Sequence, residues 1–169
     1  MSDLYTVVSA TNRPNSNTAK VATQYFELLR ERGLDVQYFS LEGWKWLVKD
    51  PEFVELEAKV LDPTTKFVFI VPEYNGSIPG ILKLMFDISS YKKTWYGKKA
   101  MLTGIATGRA GNLRGIEHLT SILHFLNVVV HPNKIPISSV DKLMDPDGVI
   151  RDAATLQAIK LQLDEFTRF

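Results

Sequence analysis

Apolar residues along the chain follow two rhythms. The run Phe67-Val68-Phe69-Ile70-Val71 shows no polar alternation and predicts a strand buried on both faces, as in a parallel sheet. Tyr5-Thr6-Val7-Val8-Ser9 predicts a first buried strand and Ala100 to Ala106 a fourth strand. Leu34 to Leu41 sets Leu34, Val36 and Tyr38 against polar neighbours and predicts another strand. A fifth is expected within Asn127 to Ile137, at Val128-Val129-Val130, with Pro132 and Pro136 beyond it. Helical spacing takes over between the strands. It relates Val21, Tyr25, Leu28 and Leu29, with Gly33 as the residue that ends the helix, and recurs in Ile81 to Tyr91, Ile116 to Leu126 and Ala153 to Phe166. Glu42 to Thr65 predicts two short helical pieces, interrupted at Asp50-Pro51 and Asp62-Pro63. Asp145-Pro146-Asp147-Gly148 reads as a turn. Strands alternating with helices over 169 residues, without repeats or a linker, predict one doubly wound α/β domain over 1–169.

Three strand-to-helix junctions carry the candidate chemistry. The central one, Pro72-Glu73-Tyr74-Asn75-Gly76-Ser77-Ile78-Pro79-Gly80, follows the most buried run. Pro72 is expected to end the ladder, having no N–H, and Pro79-Gly80 to open the next helix. The first junction, Ala10 to Thr18, gathers Ser9, Thr11, Asn12, Ser16, Asn17 and Thr18 before a helix N-terminus. Unpaired N–H groups and the helix dipole favour an anion there, and Arg13 can add a charge-assisted bond. It contains neither G-x-x-x-x-G-K nor G-x-G-x-x-G, which excludes a nucleoside-triphosphate loop and a dinucleotide fingerprint. The third junction, Thr107-Gly108-Arg109-Ala110-Gly111-Asn112-Leu113-Arg114-Gly115, has glycines that permit close backbone approach to a ligand. Taken singly, each junction also fits a plain connection or a capped, solvated turn.

The Pro72–Gly80 stretch resembles the P-E-Y-N-x-S-x-P-G loop of the NAD(P)H-dependent FMN reductase family. Ser9-Ala10-Thr11-Asn12-Arg13 is similar to the opening of that family's phosphate-binding loop, usually G-S-x-R. It departs from that pattern by lacking the glycine and by being one residue shorter before Asn17. Leu84 stands where the family often has Asn. The resemblance implies a flavodoxin-like, three-layer α/β/α fold with a five-stranded parallel sheet in the order 2-1-3-4-5. The three junctions then border the topological switch point. It also implies bound FMN, with its phosphate at Ser9, Thr11, Arg13, Ser16, Asn17 and Thr18. The ring would lie along Pro72, Glu73, Tyr74, Asn75 and Gly76, and its pyrimidine edge near Thr107, Gly108, Arg109 and Gly111. NAD(P)H would be the electron donor. No side chain is expected to act as a catalytic nucleophile, because the flavin carries the chemistry.

Composition narrows the remaining choices. A net charge of +1 offers no electrostatic footprint for nucleic acid or an anionic membrane. The absence of cysteine excludes disulfides, thiol catalysis and thiolate metal sites. His118, His124 and His131 lack metal-ligand spacing, so no metal is expected. The N-terminus shows no signal-peptide pattern and no apolar run reaches membrane-spanning length, so a cytoplasmic protein is expected. The basic, aromatic stretch Tyr91 to Lys99 reads as a solvated turn or as part of an active-site rim.

The resemblance therefore implies an FMN-dependent NAD(P)H oxidoreductase acting on free flavin, quinones, azo compounds or similar small acceptors. Two alternatives stay open: an electron-transfer flavodoxin, which would ordinarily be more acidic, and a flavin-free module for another phosphate ester. The resemblance also implies a homodimer or tetramer, for which Trp44, Trp46, Trp95 and Tyr96 are candidate interface residues.

Overall fold

The computed structural model describes residues 3–169. Its sheet is parallel: β1 (Leu4–Ser9), β2 (Asp35–Ser40), β3 (Lys66–Pro72) and β4 (Lys99–Ile105), followed by two short segments, β5 (Val129–Val130) and β6 (Ile135–Ile137). The order is β2-β1-β3-β4-β5, and β6 also pairs with β4. Strand alternation divides the core into two layers. Phe67, Phe69 and Val71 face one side with Leu82, Met85, Ile116 and Leu119. Val68 and Ile70 face the other with Val21, Tyr25, Leu29, Ile159 and Leu163. Helices α1 (Asn17–Arg30) and α6 (Ala153–Arg168) thus cover one face, and α3 (Gly80–Ile88) and α4 (Leu113–Phe125) the other. The flavodoxin-like order expected from the sequence is the order observed.

Four local expectations are corrected. The predicted fifth strand is two segments on one flank of β4: β5 pairs with Lys99 and Ala100, β6 with Thr103 to Ile105. The stretch around Pro132 leaves the ladder between them. There the Gln162 amide of α6 donates to Leu102 O at 3.0 Å and Asn133 O at 2.9 Å. A side chain thus satisfies a carbonyl that a continuous strand would have paired, as a buried polar group requires. Second, the two helical pieces of Glu42 to Thr65 are contiguous rather than separated at Asp50-Pro51. They are α2 (Pro51–Leu56) and the wide π-helical turn at Glu57–Leu61 into which it runs. Asp50 caps α2, accepting from Phe53 N–H at 2.8 Å, with Pro51 in the first turn.

Third, α3 ends at Ile88 rather than Tyr91, because Ser89 turns extended and its hydroxyl donates back to Phe86 O at 3.0 Å. Fourth, Tyr91–Trp95 forms a wide turn whose Thr94 and Trp95 are buried. Trp95 packs on Phe67 and Phe86, which removes it from the candidate interface residues. The turn docks on Glu57, whose carboxylate accepts from Thr94 Oγ1 at 2.9 Å and from Lys49 Nζ at 2.5 Å. Burial pushes that carboxyl up, but Lys49, the Ser90 N–H and the Thr94 and Ser90 hydroxyls outweigh it and hold it below its ordinary value. Because Lys98 and Lys99 lead into the start of β4, the Tyr91–Lys99 stretch lies at the amino end of the sheet. It is no part of a rim at the opposite end.

Candidate functional site

The carboxyl ends of β1, β3 and β4 open into a cleft of about 530 Å³, within the range of small-molecule sites. Three junctions wall it, together with Val140 from α5 (Val140–Leu143). At the first, Ser16 caps α1, its hydroxyl accepting from Ala19 N–H at 3.0 Å. Helix geometry leaves the Asn17 and Thr18 N–H groups without intrahelical partners, and both residues line the cleft. Ser16 keeps its own hydroxyl hydrogen to donate. Arg13 also lines the cleft, its guanidinium 4.1 Å from the centroid of the Tyr74 ring. Ser9 and Thr11 do not line it. Both are buried, and the Ser9 hydroxyl has no hydrogen-bond partner among the described residues.

The central junction is a tight two-residue turn. Tyr74 N–H donates to Ser77 O at 2.9 Å and Ser77 N–H to Tyr74 O at 3.1 Å, with Asn75 at φ +52° and Gly76 at φ +76°. Positive φ at both central positions is the geometry that an Asn-Gly pair favours over all others. Pro72, Glu73, Tyr74, Asn75 and Gly76 all line the cleft. Pro72 does not end the ladder with β4, since it pairs with Ile105 and the Glu73 N–H donates to Ile105 O at 3.2 Å. It is tolerated because β1 has already stopped, at Ser9 opposite Ile70. Ser77 Oγ lies 2.9 Å from His118 Nδ1, which ties the turn to α4.

The third junction places Thr107, Gly108 and Arg109 in the cleft wall, but not Gly111. Gly111, at φ +58°, is pressed against the backbone of Pro136: a Cβ there would lie 2.6 Å from the Pro136 carbonyl carbon. Asn112, in the left-handed region at φ +66°, precedes α4 and donates from Nδ2 to Val71 O at 2.9 Å. The loop is thereby tied to the end of β3. Pro14, Ile105, Ala106, Ala110 and Val140 also line the cleft and were not expected from the sequence. Val140 reaches the cleft through a short helix far along the chain, for which no local signal exists. Among the described residues no three His, Asp or Glu side chains gather as metal ligands, and no helix is long and apolar enough to cross a membrane.

A family model described as NADPH-dependent FMN reductase matches residues 5–142, a span that takes in all three junctions. The chain belongs to that family. Among relatives, an NAD(P)H-dependent FMN reductase of Pseudomonas aeruginosa is 34% identical over 118 residues, which is 67% of this chain and 63% of that protein. The match therefore spans less than two thirds of that relative's length. An NAD(P)H:quinone oxidoreductase of Solanum tuberosum is 30% identical over 150 residues, covering 78% of this chain and 73% of its own. The fold is shared with a flavoenzyme NAD(P)H:(acceptor) oxidoreductase of Paracoccus denitrificans, at TM-score 0.77 and 21% identity over 99% and 96% of the two chains. An archaeal flavodoxin shares it at TM-score 0.62 and 12% identity, over 98% and 97%.

Proposed function

We propose that this chain is an FMN-dependent NAD(P)H oxidoreductase whose acceptor is a free flavin, quinone, azo compound or similar small molecule. What carries the reading is the meeting, in one cleft, of a helix N-terminus with Arg13, a flat Asn-Gly turn and a glycine-containing backbone loop. Membership of the reductase family supports it over a flavodoxin or a flavin-free phosphate-ester module. Bound FMN would supply two-electron transfer between nicotinamide and acceptor. The residues present fit such a ligand. Asn17 and Thr18 N–H groups, the Ser16 hydroxyl and the Arg13 guanidinium offer donors to a phosphate at one end. The Asn75-Gly76 turn presents backbone without a Cβ at Gly76, so a planar ring can approach closely. Backbone N–H groups of Thr107 to Arg109 would stabilise negative charge on the pyrimidine edge.

If the α1 N-terminus holds the phosphate, FMN should bind at least tenfold more tightly than riboflavin, the worth of one or two charge-assisted bonds (~1.5–3 kcal/mol). Titration by flavin fluorescence checks this, and equal affinities would remove the phosphate from Arg13 to Thr18. NAD(P)H oxidation with a panel of acceptors then separates a reductase from a flavodoxin.

We also infer a homodimer or a dimer of dimers, with a neighbouring copy helping to wall the cleft. Exposed Leu47, Val48 and Val54, near the half-buried Trp44 and Trp46, supply apolar surface for it, and exposed Tyr96 and Phe125, at the amino end of the sheet, supply surface for the second contact of a dimer of dimers. Light scattering at micromolar concentration with FMN present should give at least twice the 19.1 kDa chain mass, and a monomer mass would refute the inference.

A further inference from the structure

Thr11 falls in the phosphate loop by sequence, yet it is 1% exposed and outside the cleft lining. Its hydroxyl is engaged twice. It is hydrogen-bonded to the Tyr74 hydroxyl, 63 residues away on the central junction, and it accepts from the Arg13 N–H at 3.3 Å. Arg13 in turn lays its guanidinium over the Tyr74 ring at 4.1 Å. Three residues from two junctions thus form a closed ring of contacts. Thr11 holds the Tyr74 hydroxyl, Tyr74 holds Arg13 by its ring face, and the Arg13 backbone returns to Thr11. A cation above an aromatic face is attracted by the ring quadrupole, so each contact restrains the orientation that the next one needs.

We infer that Thr11 is a positioning residue, acting through Tyr74, and not a phosphate contact: the Thr11–Tyr74 bond sets the separation between the anion-binding junction and the Asn75-Gly76 turn. Thr11 is buried and outside the cleft lining, so its hydroxyl has no route to a ligand's phosphate. Tyr74 is the first residue of the turn, its backbone paired with Ser77 in both directions, so a fixed Tyr74 ring fixes the plane of the turn. Arg13, by contrast, faces the cleft while its orientation is set by Tyr74. The strut spans the two ends of the site that FMN must bridge. It therefore acts on any flavin that reaches the turn, with or without a phosphate. This inference deepens the FMN reading and rests on it for its ligand.

The variants are Thr11→Val, which keeps the shape and removes the hydroxyl, Tyr74→Phe, the double variant, and Thr11→Ser. The first readout needs no flavin. Urea denaturation of the apo proteins is expected to show both single variants weakened and the double variant no worse than the weaker single one, as for two partners of one bond. The second readout is affinity. Thr11→Val and Tyr74→Phe should each weaken riboflavin about fivefold, the worth of one neutral hydrogen bond, and FMN by at least that factor, because Arg13 is oriented through the same ring of contacts. Thr11→Ser should restore wild-type values for both ligands, which a generic loss of packing would not do.

Additive apo effects would overturn the strut. So would a Thr11→Val protein that loses FMN affinity while riboflavin binding is unchanged, since the strut sets the turn for any flavin that reaches it. If the wild-type protein binds neither flavin, the FMN reading fails by itself, and the apo cycle still decides whether the strut exists.

Discussion

Gly104→Ala is expected to lower stability by about 3 kcal/mol, the upper part of the usual range for forcing atoms into a packed interior. Gly104 lies in β4, where the third junction folds back across the strand. A Cβ there would come within 2.5 Å of the Gly111 carbonyl oxygen and 2.6 Å of Ile116 Cδ1. Ile116 can rotate, but the Gly111 oxygen is backbone, and Gly111 is itself wedged against Pro136. Relief requires moving the whole Thr107–Gly115 loop. Replacing glycine ordinarily gains ~0.4–1 kcal/mol by restricting the unfolded chain, too little to reverse the sign. Against a typical total of ~5–15 kcal/mol the loss is large. Chemical denaturation beside Gly80→Ala provides the check, because a Cβ on Gly80 meets nothing within 4 Å. Equal stability of the two variants would mean that the loop yields freely and is not braced by this contact.

The second large effect is on ligand binding. Gly76→Val should weaken FMN about thirtyfold while leaving the apo fold nearly intact. Within the protein a Cβ at Gly76 meets no obstacle, its nearest atom being Arg114 Nη1 at 3.8 Å, so the new bulk is felt only by the ring. The backbone adds a second cost, because φ +76° is a left-handed geometry that costs a β-branched residue ~2 kcal/mol. The free protein escapes that strain by opening the turn, giving up only the Tyr74–Ser77 pair. A ligand that needs the closed turn must restore it, and its apparent affinity falls with the closed fraction. FMN affinity, NADPH oxidation and apo melting temperature should be measured on the same preparation. A well-folded variant with unchanged FMN affinity would show that this turn does not contact the ring.

The residues that were legible from the sequence share one property: their signal is local. Phe67 to Val71 declares a doubly buried strand by itself, and Asn75-Gly76 declares a turn. The sheet order also followed, from the alternation of elements and the family resemblance. What escaped depends on partners remote in the chain. The break in the fifth strand is made possible by Gln162 on the last helix, and Trp95 is buried by Phe67 and Phe86. Thr11, read as a ligand residue from its place in a polar loop, is drawn inward by a tyrosine 63 positions later. Gly111, read as a point of approach to the flavin, is occupied by Pro136. In the candidate site, residue type announced which loops matter. Burial and long-range bonds decided which members of those loops face the cleft.

The interruption between β5 and β6 has a further effect, on the company the molecule keeps. Parallel sheets end in strands whose outer N–H and C=O groups can recruit another chain, and an unbroken, apolar border strand is the usual seed of aggregation. Here the border beside β4 comes in pieces of two and three residues, separated by a stretch containing Pro132, Asn133 and Lys134, with Pro136 inside the second piece. The two prolines have no N–H to offer, and a strand approaching from outside finds no continuous register to extend. The amide of Gln162 thus does more than satisfy Leu102: it lets the border stay fragmentary without leaving a hole in the interior, and keeps the sheet from growing past its own last strand.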